Sequence, residues 1–345
     1  MRWVVTRSLF VVVSFVCAAA CGVTLTGDDA PGSPDATADG PSSDGASIEG
    51  PADGAVAESG GDAAPCANCP AFERVSALVG SPDHVFVGHQ QGVSRCNVGG
   101  CETSTMPASG DHAIAIDGAD VYVITGRQFV VCNVTGTFVC SAKAQQLPIQ
   151  AENAPPKYLV VRPDKFWWTA ANSDSLFAVD RATLSSVDAL PVSRRDMPIV
   201  RSTTGVMYAA SPAVYQINDD KIEAVAQTMG PKYENAIDIF FGSGRLAVIL
   251  QSGGVSHCTP PACDATVMFD FAGNAATDVA IAFSSVYWAS RSGNEVKKMK
   301  LDSAVVTNVI NVTSPSFIAT TSTHVFVASG PQGSNDVYTL HASLP

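Results

Sequence analysis

Apolar residues in this chain come in short alternating runs bounded by turn-forming residues, and one apolar phrase returns seven times. It reads His84-Val85-Phe86-Val87, Asp120-Val121-Tyr122-Val123, Lys165-Phe166-Trp167-Trp168, Gly205-Val206-Met207-Tyr208, Arg245-Leu246-Ala247-Val248, Ser285-Val286-Tyr287-Trp288 and His324-Val325-Phe326-Val327. The second residues fall at 85, 121, 166, 206, 246, 286 and 325, in steps of 36, 45, 40, 40, 40 and 39. Runs this short, rich in β-branched and aromatic side chains, predict strands. Another alternating run precedes the phrase, as in Ala113-Ile114-Ala115-Ile116 and Val279-Ala280-Ile281-Ala282, across a turn of which Asp117-Gly118-Ala119-Asp120 is the clearest. A third run follows it, as in Leu176-Phe177-Ala178-Val179 and Val296-Lys297-Lys298-Met299, and weaker fourth runs include Ala304 to Val309.

Four short antiparallel strands repeated at a period near forty predict an all-β chain folded as a seven-bladed β-propeller over residues 66–345. A six-bladed ring with a degenerate fifth unit is the structural alternative. No helical periodicity of useful length competes, and Pro156, Pro198, Pro231 and Pro315 stand at the unit joints. The last unit stops after its third strand or shortly beyond, so a segment near Cys66 to Phe72 is expected to complete it. The recurring aromatics, from Phe86 to Phe326, read as packing between blades. Lys297, Lys298 and Lys300 read as a solvated or edge-protecting face.

The N-terminus carries an address. Arg2 and Arg7 precede an apolar stretch from Leu9 to Val16, and Ala18-Ala19-Ala20 stands before Cys21, which makes residues 1–20 a secretory signal too short to span a membrane as a helix. The Ala-Ala-Ala-Cys ending resembles the lipobox of bacterial lipoproteins, although Ala18 stands where Leu is commonest. That resemblance implies lipidation of Cys21, and Gly22 beside it implies outer-membrane sorting with a periplasmic or cell-surface location. Ordinary cleavage after Ala20, giving a secreted protein, is the alternative. Residues 21–65 read as a disordered tether: Gly22 to Pro65 holds nine acidic residues, no Lys or Arg and no aromatic residue. As a flexible coil it would span about 35–40 Å. Most of the net charge of −12 lies there, so the remaining domain is only mildly acidic, which does not suit nucleic-acid binding. No later stretch has the length of a membrane span, and the expected state is a monomer.

With Cys17 removed and Cys21 lipidated, eight of the ten cysteines remain, an even number suited to an oxidising compartment. Cys96 and Cys101, Cys132 and Cys140, and Cys258 and Cys263 form local pairs, and Gly92-Val93-Ser94-Arg95-Cys96 recurs as Gly254-Val255-Ser256-His257-Cys258. A cysteine on each arm of a hairpin reaches disulfide spacing. Cys66-Ala67-Asn68-Cys69 has the spacing of a redox dithiol or half a zinc site. Its place at the tether boundary favours a small disulfide that pins the start of the domain.

The chain carries few signatures of catalysis. There is no Gly-x-Ser-x-Gly elbow, phosphate loop, His-Glu-x-x-His or calcium loop, and the six histidines are scattered. In a propeller the residues just ahead of the inner strands converge on one mouth of the ring. That set is Asp111 and His112, Lys157 and Tyr158, Arg195 and Asp196, Glu234 and Asn235, and Thr277 and Asp278. It suits a small polar ligand or a peptide end, and it equally suits a plain solvent-filled channel.

The unit pattern of apolar strand, Asp-Gly-type turn and Val-Tyr-Trp resembles secreted bacterial propellers related to the streptogramin lyase and NHL-like groups over roughly residues 70–345. The Cys-x4-Cys hairpins resemble those of cysteine-bearing propeller lipoproteins. The lyase resemblance implies a catalytic histidine and acidic magnesium ligands, which cannot be matched residue by residue to this chain. The expected function is therefore a membrane-anchored binding module for a protein, peptide or glycan, with no resident cofactor. The alternative is a lyase or hydrolase at the channel mouth, with His112 as base and Asp111, Asp196, Glu234 or Asp278 holding a divalent cation.

Overall fold

The computed structural model describes residues 64–345 apart from 107–109, 127, 145–154, 186, 193–196, 211–213, 219–220, 225–235, 252, 261–266, 270–275, 304 and 331–335. The signal, Cys21 and all but the last two residues of the tether lie outside that range. The described residues form strands and no helix, and so none long and apolar enough to cross a membrane. The strands make seven antiparallel sheets whose inner strands are Ala77–Gly80, His112–Asp117, Pro156–Val161, Ile199–Arg201, Ala236–Gly242, Ala276–Ala282 and Pro315–Thr320. Each inner strand lies beside that of the next blade, and the seventh lies beside the first, so the ring is closed. The fifth unit forms a full four-stranded blade, which sets aside the six-bladed count.

Every repeated phrase supplies the second strand of a blade, from Val85–His89 in blade 1 to Val325–Ser329 in blade 7. Strand side chains alternate between faces, and here both faces of each sheet meet another sheet. In blade 3, Phe166 and Trp168 turn toward blade 2, whereas Trp167 between them turns toward blade 4. Both tryptophans are only 1% exposed. Seven apolar clusters result, one per interface between neighbouring blades. This explains why the phrase is apolar without a break rather than apolar at every second residue.

Blade 4 corrects the alignment by one residue. Its second strand is Met207–Ala210, with Met207 packed toward blade 3 and Tyr208 toward blade 5. Met207, not Val206, therefore occupies the place of Val286, and the flanking steps become 41 and 39. A shift of one residue exchanges the two faces of a strand, so the sheet contacts fix the register where the sequence phrase does not. Of the two readings of the lysines, edge protection is set aside. Glu295–Lys300 is the third strand of blade 6, paired on both sides, so it protects no edge; Lys297 Nζ lies 2.9 Å from Glu295 Oε1.

Blade 7 is completed by the residues that open the propeller. Its third strand, Val337–Ser343, pairs with Ala64–Pro65 at Ala342 and His341, and with Phe72–Glu73 at Tyr338 and Val337. The expected segment from Cys66 to Phe72 is the loop between these two short strands together with the first residue of the second, Phe72. Cys66 N–H donates to Leu340 O at 2.9 Å, and Gln90 N–H of blade 1 donates to Glu73 O at 2.9 Å, so the same segment touches both blades it joins. Phe72 is 2% exposed and its ring lies 5.0 Å from that of His89.

Three of the expected disulfides are formed: Cys66–Cys69, Cys96–Cys101 and Cys132–Cys140, with Cα separations of 5.3, 4.1 and 4.0 Å. The last two join residues directly opposite each other across hairpins. Cys258 is disulfide-bonded as well, and its expected partner Cys263 lies outside the described residues.

Where blade 7 meets blade 1, Gly80 lies against the backbone of Thr320, and a Cβ at Gly80 would run into the Thr320 carbonyl. Gly80→Ala is therefore expected to lower stability by about 1–3 kcal/mol, the cost of overpacking a rigid contact. Urea denaturation checks this, and an unchanged midpoint would mean that the two blades meet more loosely.

Candidate functional site

The inner strands of blades 3, 5, 6 and 7 share an irregularity. Their register against the second strand shifts between Pro156 and Tyr158, Ala236 and Asp238, Ala276 and Asp278, and Pro315 and Phe317. The bulge in each places one extra residue and re-aims the next, a device common beside binding sites. In blades 3, 5 and 6 it brings Tyr158, Asp238 and Asp278 together. Asp278 accepts from its neighbour Val279 N–H through Oδ1 and from Ile318 N–H of blade 7 through Oδ2, both at 2.8 Å. Asp238 accepts from Ile239 N–H at 2.8 Å, and the side chains of Asp278 and Tyr158 hydrogen-bond to it with Lys157 nearby.

Two carboxyls in one hydrogen bond cannot both be ionised, and both are densely surrounded by protein atoms. Desolvation pushes Asp238 up to about 6, against the bonds from Asp278, Ile239 and Tyr158. Desolvation and then the Asp238 charge push Asp278 well above the usual carboxylate range. Asp278 is thus the member that keeps the proton and donates it to Asp238. All the groups named here answer one another, and Asp278 ties blades 5, 6 and 7 together at their inner edge.

Of the mouth set read from the sequence, the structure therefore joins Lys157, Tyr158 and Asp278. Thr277 Oγ1 donates instead to the carbonyls of Ala289 and Pro315, at 3.4 and 3.3 Å. His112 stands in the interface between blades 1 and 2 rather than at an open mouth: it is fully buried, and its Nε2 lies 2.8 Å from His89 O. Desolvation lowers the pKa of both His112 and His89, so both are neutral at pH 7. Asp111 is half-buried, and Arg195, Asp196, Glu234 and Asn235 lie outside the described residues. Asp238 lies outside the residues just ahead of the strands, yet it stands forty residues before Asp278 at the same place in the repeat.

A second site was not visible in the repeat at all. Between blades 2 and 3 a cleft of about 440 Å³ is lined by Asp120, Tyr122, Phe129, Lys143, Phe166 and Arg181, among others. The rings of Phe129 and Tyr122 lie 4.5 and 5.0 Å from that of Phe166 and are buried beneath the cleft, which half-buried Val131 and Leu184 reach as its apolar residues. Arg181, on the turn after the third strand of blade 3, holds its guanidinium carbon 5.2 Å from the Tyr122 ring centroid and 5.7 Å from that of Phe166. Its Nη1 donates to Asp117 Oδ2 at 2.8 Å and its Nη2 to Tyr122 Oη at 2.7 Å. Burial works against the Arg181 charge, and the bonds to Asp117 and Tyr122 outweigh it, holding its pKa above the ordinary value. Arg201 of blade 4 donates to the other oxygen of Asp117 at 3.3 Å. Two guanidiniums thus answer one carboxylate, and Lys143 is exposed at the rim.

No protein-family model matches the sequence, and no curated protein sequence matches it. Solved structures do. The fold is similar to that of YCF48 bound to a D1 peptide, with 11% identity, a TM-score of 0.58 and coverage of 81% of this chain and 94% of that one. It is similar also to the extracellular domain of BT4673 from B. thetaiotaomicron, at 10% identity and a TM-score of 0.60, covering 82% of this chain and 40% of that longer one. The β-propeller domain of Cps50 (Swd1) from Myceliophteria thermophila matches at 11% identity and a TM-score of 0.60, covering 79% and 99%. At these identities the likeness shows the propeller fold.

The carboxyl pair sets a pH dependence. Raised folded-state pKa values mean that the native chain binds the shared proton more tightly than the unfolded chain, so the pair's contribution is fully present below the unfolded carboxylate pKa and is lost as pH rises through about 6 and beyond. Asp278→Asn keeps a donor toward Asp238 and removes the second charge. Between pH 4.5 and 7.5 this variant should lose less stability than wild type, its slope being shallower by up to about 1.4 kcal/mol per pH unit. Parallel slopes in chemical denaturation would show that the pair does not share a proton.

Proposed function

We propose that this propeller is an extracytoplasmic interaction module, lipid-anchored through Cys21 and held off the membrane by its acidic tether, which binds an acidic peptide segment of a protein partner in the cleft between blades 2 and 3. The cleft carries the reading. Its partly buried Val131 and Leu184 offer an apolar contact above the covered rings, and beside them guanidinium and ammonium groups outnumber the carboxylates facing them. Arginine over aromatic rings is a preferred partner for carboxylates, since its planar fork presents paired donors. A propeller of the same fold is solved with a peptide bound, which supports a peptide over a glycan as the ligand class. The disulfides support an oxidising compartment.

Selection from a random peptide library against residues 64–345 should enrich sequences that place Asp or Glu beside an aromatic or aliphatic residue. Arg181→Gln, which removes a charge-assisted bond of about 1.5–3 kcal/mol, should weaken the selected peptides by roughly 10–100-fold in fluorescence anisotropy. Selected peptides that bind the variant as tightly as wild type would move the site elsewhere. Anchoring is tested separately: Cys21→Ser in a Gram-negative host should abolish palmitate incorporation and shift the protein from membranes to the soluble fraction, whereas an unlabelled wild-type chain would leave a plainly secreted protein.

A further inference from the structure

The segment that completes blade 7 carries two cysteines to a place where two others already stand. Cys66-Ala67-Asn68-Cys69 folds as a tight turn, with Cys69 N–H donating to Cys66 O at 3.2 Å and Asn68 in the left-handed region at φ 59°, which asparagine tolerates. This turn lies on the hairpin of blade 1 that carries Cys96 and Cys101. Cys66 Sγ is 3.1 Å from Asn97 O, and Asn68 Nδ2 donates to Gly99 O at 3.5 Å. The Sγ atoms of Cys69 and Cys101, which are not bonded to each other, are 2.9 Å apart, well inside van der Waals separation. The sulfurs of Cys66, Cys69 and Cys101 all lie within 4.8 Å of one another. Cys66 and Cys96 are buried, whereas Cys69 and Cys101 are half-buried and open to a reagent.

We propose that these four cysteines form a thiol–disulfide exchange site, in which a dithiol converts the two local bonds into a single Cys69–Cys101 bond that locks the closing segment to blade 1. A thiolate of the dithiol attacks the accessible Cys69 Sγ; the Cys66–Cys69 bond breaks and Cys66 leaves as a thiolate. The second thiol of the reagent attacks its own sulfur in the mixed disulfide, which releases Cys69 and the oxidised reagent. Cys69 thiolate then attacks Cys101 Sγ, the Cys96–Cys101 bond breaks, and Cys96 leaves as a thiolate. Two electrons pass from the dithiol to the protein, its two protons end on Cys66 and Cys96, and one disulfide remains where there were two.

The consequence is mechanical. Cys66–Cys69 and Cys96–Cys101 close loops of separation 3 and 5, whereas Cys69–Cys101 spans 32 residues and joins the segment pairing with blade 7 to blade 1. A longer closed loop restricts the unfolded chain more, and this one bridges the seam at which the ring closes. In the local pairing that seam carries no covalent bond between the segment and blade 1.

Wild-type protein isolated from an oxidising compartment is treated with one equivalent of dithiothreitol, quenched in acid, alkylated and mapped by peptide mass spectrometry. The expected majority product carries a Cys69–Cys101 cross-link with alkyl groups on Cys66 and Cys96, while Cys132–Cys140 stays intact. A Cys66→Ser/Cys96→Ser double variant should form the same cross-link on air oxidation and melt at a higher temperature oxidised than reduced. The proposal is overturned if only local pairs are found, intact or doubly alkylated. It is equally overturned if the isolated protein holds a zinc ion on four free thiols. Should the double variant fail to fold, the wild-type map decides alone.

Discussion

A sheet that is apolar on both faces cannot stand with either face in water, and every blade of this chain is such a sheet. Each blade therefore needs a neighbour on each side, and a row of blades always leaves two faces bare unless it closes on itself. The seven interface clusters are the physical expression of that demand, and the cluster between blades 7 and 1 is the one that chain connectivity does not supply. It is assembled from the two ends of the propeller, with Phe72, Val75 and Cys66 from its start packed beside Tyr338 and Leu340 from its last blade. The rest of the structure depends on that closure.

Both candidate sites are by-products of the same packing. Where inner strands crowd near the axis, bulges turn Tyr158, Asp238 and Asp278 toward one another, and the low polarity there forces the two carboxyls to share a proton. Where blades splay apart, the gap over the aromatic interface of blades 2 and 3 stays open, and Arg181 reaches across it to Asp117 and Tyr122. The inner cluster is satisfied from within and holds blades together. The outer cleft presents charge and apolar surface side by side, which suits recognition.

Much of the architecture could be read from spacing alone, because a phrase buried on both faces must be apolar at every position and therefore stands out from its surroundings. Blade 4 shows the limit: Val206 and Met207 are equally apolar, so only contacts with blades 3 and 5 decide which of them begins the pattern. The cysteine hairpins were legible because pairing across a two-stranded ribbon is local. Asp238 is legible from its spacing of forty residues to Asp278, but it stands behind a bulge, which the sequence pattern does not mark, and not ahead of the strand. Arg181 and Lys143 carried no signal, since each lies off the repeated phrase and acquires its neighbours only when blades meet.

Hydrogen exchange measures closure most directly. In the intact domain, amides of Val325–Ser329 and Val337–Ser343 in blade 7 and of Val85–His89 in blade 1 should exchange only by global unfolding, as those of blade 3 do. Removing residues 64–75 should strip protection from blades 7 and 1 together and spread to the remaining ring. Protection in blade 7 that survives the removal unchanged would contradict a ring held shut by its N-terminal segment.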